Sequence, residues 1–83
     1  MMHIPHELMD EFPQEKVLIE RLTKGNYEFG RLVTRYDDVN RKIYRIESEE
    51  VPTSDEVLEN LKKRRLKLKD EIAAVLTKAE RRM

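Results

Sequence analysis

Cysteine is absent from the chain, which removes disulfides, thiol catalysis and cysteine-ligated zinc together. That absence fits a reducing compartment, and a cytoplasmic location is expected. Long apolar runs are missing too: none approaches the ~20 residues needed to span a bilayer, so no membrane partner is expected. The opening MMHIPHELMDEFPQ has neither a basic first region nor an apolar core and does not read as a secretory signal. Glycine is scarce. Gly25 and Gly30 stand alone and build no phosphate-cradling loop. An excess of charge of one sign is also lacking, since 17 basic residues meet 17 acidic ones. A zero total argues against dedicated nucleic-acid binding, whose affinity comes largely from neutralising phosphates.

Catalytic constellations are missing as well. The only serines, Ser48 and Ser54, lie in or beside one turn and join no Ser/His/Asp set. Asp37 and Asp38 are neighbours, so on a helix their side chains point about 100° apart and cannot act as a pair. His3 and His6 have metal-compatible i,i+3 spacing, but Pro5 separates them and no further histidine or cysteine completes a site. They read as part of a loosely ordered tail. No catalysis, cofactor, metal or small-molecule substrate is expected, and a short helical hairpin offers no pocket of enzyme size.

What is present is charge and helical periodicity. Charged residues make up 41% of the chain and hydrophobic ones 39%, a balance that suits long solvated helices. The charge is unevenly placed: residues 1–50 hold 11 acids and 8 bases, while residues 51–83 hold 6 acids and 9 bases. Two arms of opposite sign suit antiparallel packing within one molecule or head-to-tail contact between molecules. A chain of 83 residues buries only about 60–65% of its unfolded surface, so modest stability or support from a partner is expected.

Residues 1–12 lack sustained periodicity and are expected to be poorly ordered, with at most a turn or two of helix in HELMDEF. Pro13 suits the first position of a helix over about 13–24, where its missing N–H costs nothing. Gly25 reads as the stop, through its tolerance of positive φ, and Asn26 as the N-cap of a second helix over about 26–49. Phe29, Leu32, Tyr36, Val39, Ile43 and Ile46 mark a heptad seam along it. Leu18, Leu22 and Gly25 continue that spacing upstream, so one helix over 14–49, merely bent at Gly25, fits the same pattern. Pro52 ends the second helix, and Thr53 with Glu56 reads as a capping box for a third over about 54–81. Leu58, Leu61, Arg65, Leu68, Ile72, Val75 and Ala79 form its seam. Folding back at 50–53 sets Ile46 against Val57 or Leu58 and Phe29 against Val75. The expected fold is an all-α antiparallel, coiled-coil-like helical hairpin with a short additional N-terminal helix covering the overhanging Val75, Leu76 and Ala79.

The run from Lys62 to Lys69 holds six basic side chains, yet the seam passes through it at Arg65 and Leu68. Lys62 and Lys69 fall to one side of the seam, with Lys63, Arg64 and Lys67 pointing outward. This reads as a solvated helix face, with Glu59 placed to pair with Lys63 or Lys62. The same five bases form the candidate basic face of an alternative reading, a nucleic-acid-associated protein. That face lacks the aromatic platforms expected for single strands, and the hairpin lacks the short interhelical turn of the DNA motif. Arg65 sits on the seam and needs a partner, with Asn40 and the Tyr36 hydroxyl facing it across the hairpin. Leu66 lies on the wet face near Ala73. With Val33, Tyr44 and Leu76 they form the candidate interaction surface for a second copy or another protein.

The segments FPQEKVLIERL, FGRLVTRYDDVNRKIYRIE and LKKRRLKLKDEIAAVL resemble the YdcH-like family of small bacterial proteins over about residues 12–80. Leu61, Lys62, Lys63, Leu66, Leu68, Lys69, Asp70, Glu71 and Ile72 match the pattern of the family's third helix, and Arg64 replaces its usual glutamine. Where the family often reads His-Asn-x-Leu-Asp, this chain has Tyr36, Asp37, Asp38, Val39 and Asn40. The resemblance implies a helical hairpin from a bacterial cytoplasm, with no assigned activity, cofactor or catalytic residue.

Overall fold

Asn26 decides how the first half of the chain is laid out. In the computed structural model, which describes residues 4–82, it is the one extended residue between two helices, with φ −127° and ψ 111°. Its N–H donates to the Leu22 carbonyl at 2.8 Å, closing α2 (Lys16–Gly25). Its side-chain Oδ1 accepts from the Phe29 N–H at 3.1 Å, opening α3 (Tyr27–Glu47). One residue thus satisfies free backbone groups at both ends. The continuous helix bent at Gly25 is therefore not formed. Gly25 is not left-handed either, as no glycine among the described residues has positive φ. It is the last helical residue of α2, and the extended Asn26 makes the stop.

A short helix, α1 (His6–Glu11), precedes these, followed by a 3₁₀ turn at Pro13–Glu15 that leads into α2. Pro5 stands at the N-cap of α1, and Pro13 begins the 3₁₀ turn, so neither proline interrupts α1. Leu8 and Pro5 are fully buried. The segment expected to be poorly ordered thus packs into the fold at residues 4–12, where Ile4, Met9 and Phe12 also lie against the core. Residues 1–3 lie outside the described residues.

After α3, the chain reverses over 48–54 into α4 (Asp55–Arg81). The N-cap of α4 is Ser54, whose Oγ accepts from the Val57 N–H at 3.3 Å. The expected cap lay one residue earlier, at Thr53. With Ser54 in that role Val57, not Glu56, occupies the third helical position, so no capping box closes.

The two long helices pack antiparallel, as the paired seams require. At 1.5 Å per residue, α3's 21 residues span about 32 Å and α4's 27 about 40 Å. The molecule accordingly measures 45 × 24 × 21 Å. Register follows the expected pairing: Ile46 and Leu58 line one groove at the loop end, while Phe29, Leu32 and Val75 line another at the opposite end.

All four helices feed one core. Phe29, Val33, Tyr36, Val39 and Ile43 come from α3, Leu68, Ile72 and Leu76 from α4, Leu8 from α1 and Ile19 from α2. The buried stripe of α3 is wider than a heptad seam. Val33 lies about 90° round the helix from the seam's centre and is nevertheless fully buried. The cause is that α2 packs against α3, so α3 is covered on two flanks rather than one. Leu76, on the end of α4 that overhangs α3, enters the same core as Ile19.

Candidate interaction face

Of the five apolar residues placed on a candidate interaction surface, the structure brings only some to the outside. Leu66 is 54% exposed and Tyr44 69%. Ala73 is half-buried. Val33 and Leu76 are core residues, a correction that follows from the N-terminal arm covering the flank they occupy.

Leu66 and Tyr44 lie on the face that carries α1. Leu66 lines a shallow groove with Glu7, Glu11 and Lys69, whereas Tyr44 lines another with His6, Glu7 and Arg45. Glu7 and Asn40 border both grooves, so α1 lies between the two exposed apolar side chains. The surroundings are charged in both signs: acids Glu7, Glu11 and Glu50, bases Arg41, Arg45 and Lys69.

The basic run divides into two sets. Arg65 donates from Nη1 to Asn40 Oδ1 at 3.2 Å, the cross-hairpin contact expected for a guanidinium on the seam. Asn40 Nδ2 is buried without a hydrogen-bond partner. Lys62 Nζ pairs with Glu47 at 3.1 Å, and Lys69 Nζ with Glu11 at 3.4 Å. Both ion pairs join a base of α4 to an acid of the first half of the chain. Lys62 therefore turns across the hairpin instead of towards Glu59, and neither expected Glu59 pair forms among the described residues. Lys63, Arg64 and Lys67 are exposed, with no acid within ion-pairing distance among those residues.

No group of three or more His, Cys, Asp or Glu is placed to hold a metal ion among the described residues. His3, one member of the histidine pair, lies outside them. No helix among the described residues is long and apolar enough to cross a membrane.

A family model described as "Protein of unknown function (DUF465)" matches residues 29–76, more than half of the chain. The chain belongs to the DUF465 family. The third-helix motif at 61–72 falls within the match, and the family is one of unknown function, as the sequence resemblance implies. No curated protein and no solved structure matches the chain. The DUF465 match starts inside α3 and ends inside α4, so it covers the hairpin and leaves α1 and α2 outside. Sequence reasoning missed α1 as part of this face. Its signal was the i,i+4 spacing of Ile4, Leu8 and Phe12, which the two flanking prolines obscured.

Proposed function

We propose that this DUF465 chain is a cytoplasmic, non-catalytic helical module that associates with a second copy of itself or with another protein through its α1-bearing face. The supporting observation is the pair of large, exposed side chains, Leu66 and Tyr44, set on either side of α1 among charges of both signs. Burying two such side chains provides affinity, and mixed charges around them orient the partner. A face with both signs is also able to complement itself across a two-fold axis.

The expected outcome is a concentration-dependent dimer in sedimentation velocity. Leu66→Glu shifts it to monomer while the far-ultraviolet circular dichroism stays near the parent's, because Leu66 is outside the core. A parent chain that sediments as a monomer at every concentration removes the self-association reading. The alternative, nucleic-acid binding on the basic face of α4, rests on Lys63, Arg64 and Lys67, as Lys62 and Lys69 are already paired with Glu47 and Glu11.

A further inference from the structure

A second surface, away from α1, has a different chemistry. Tyr27, in the first turn of α3, is 79% exposed, and the Arg31 guanidinium carbon lies 5.9 Å from the centroid of its ring. Arg31 and Arg35 follow at i+4 and i+8, so with Tyr27 they form one row along the helix. Lys24, at the end of α2, borders the same groove. No acid lies within ion-pairing distance of Lys24, Arg31 or Arg35 among the described residues. The only acid bordering this groove or its neighbour is Glu28, which makes the surroundings three bases against one acid. This basic patch stands in the half of the chain where acids outnumber bases, 11 to 8.

Both glycines of the chain line the groove. Gly25 is helical, lacks positive φ, and a Cβ built on it would meet nothing within 4 Å. Neither backbone conformation nor packing thus requires glycine there, although it costs helix propensity. What it leaves is open space beside the bases. Thr23 and Thr34 donate their hydroxyls to the Ile19 and Gly30 carbonyls at 2.7 and 3.0 Å, so those protons are spent inside the helices. Besides the Tyr27 hydroxyl, the groove's free side-chain donors are therefore cationic.

We infer that this groove binds single-stranded nucleic acid, with one base stacked on Tyr27 and phosphates held by Lys24, Arg31 and Arg35. Guanidinium forks suit phosphate oxygens, and an exposed aromatic ring offers a stacking platform that accepts any base. The ~6 Å rise between Arg31 and Arg35 lets the two contact consecutive phosphates of an extended strand. Duplexes hide their bases from Tyr27. A protein partner would find no second large apolar side chain there to anchor on. This site goes beyond the association face and does not depend on it.

Fluorescence anisotropy of the full chain with a short labelled uridine oligonucleotide tests the inference, with a duplex of equal length in parallel. Single-strand binding is expected at low salt, with a slope of log affinity against log salt near −2, about −0.7 per phosphate for three contacts. Tyr27→Ala should weaken it about tenfold. Gly25→Leu fills the groove and should also weaken it, while thermal stability holds or rises. Arg31→Ala with Arg35→Ala should flatten the salt slope by about 1.4, two contacts at about 0.7 each. Replacing Lys63, Arg64 and Lys67 by alanine should leave affinity within about twofold. No binding at low salt overturns the inference. So does equal affinity for the duplex, unchanged binding by Gly25→Leu, or a loss confined to the α4 variants.

Discussion

Glu49 is the one described non-glycine residue with positive φ, at 63°. It follows Ser48, the C-cap of α3, and two backbone bonds close around it. The Glu50 N–H donates to the Arg45 carbonyl at 3.0 Å and the Glu49 N–H to the Ile46 carbonyl at 3.1 Å, the Schellman pattern. That position favours glycine, because a Cβ in the left-handed region crowds the following carbonyl, at a cost of about 1–2 kcal/mol. Glu49→Gly is expected to stabilise the fold by about 1 kcal/mol, read as a higher urea midpoint at unchanged slope. A lower midpoint would show that the loop is held by something other than this turn. Sequence reading located the reversal through Pro52 but not through Glu49, because glutamate carries no mark of a left-handed conformation. Arg65 was legible for the opposite reason: a base on an apolar seam needs an acceptor, and Asn40 was the acceptor at its level.

Helix α1, with six residues, is too short to persist alone, and its N-cap, Pro5, supplies no side-chain hydrogen bond. Its attachments are of two kinds: the fully buried Leu8, with Met9 partly buried against the same core, and the partly exposed ion pair between Glu11 and Lys69. Their magnitudes differ. Emptying a packed leucine site costs about 2–5 kcal/mol, whereas an exposed ion pair contributes about 0–1 kcal/mol. Leu8→Ala is therefore expected to lower the unfolding free energy by at least about 2 kcal/mol and to speed amide exchange in 6–12. Lys69→Ala should change it by less than about 1 kcal/mol. Equal, small effects in both variants would mean that α1 is not docked in solution. The break between α2 and α3 belongs here too. Asn26 was readable as an N-cap from its type, but glycine's propensity alone did not distinguish a bend from a break. That choice was made by α2 turning back to bury Ile19 in the common core.

Across the molecule, the N-terminal arm converts a hairpin into a four-helix core. A chain beginning at Asn26 keeps α3 and α4 but loses Leu8 and Ile19, which share the core with Val33 and Leu76. Such a chain is expected to melt at lower temperature than the parent, and to do so with a stronger dependence on concentration, because newly exposed apolar surface favours association. A melting temperature equal to the parent's would show the hairpin to be self-sufficient. The opposed charges of the two halves also act at this level. Two of the ion pairs, Lys62–Glu47 and Lys69–Glu11, join the basic second half to the acidic first.

The helical class, the turn near Pro52 and the pairing of two apolar stripes were readable from residue order, because period and proline act locally. The burial of Val33, Leu76 and Leu8 was not. It depends on which elements come to lie over a second flank of α3, a choice set by packing between residues far apart in the chain. The same packing left Leu66, Tyr44 and Tyr27 uncovered, so the surfaces open to partners took shape only once the arm had docked.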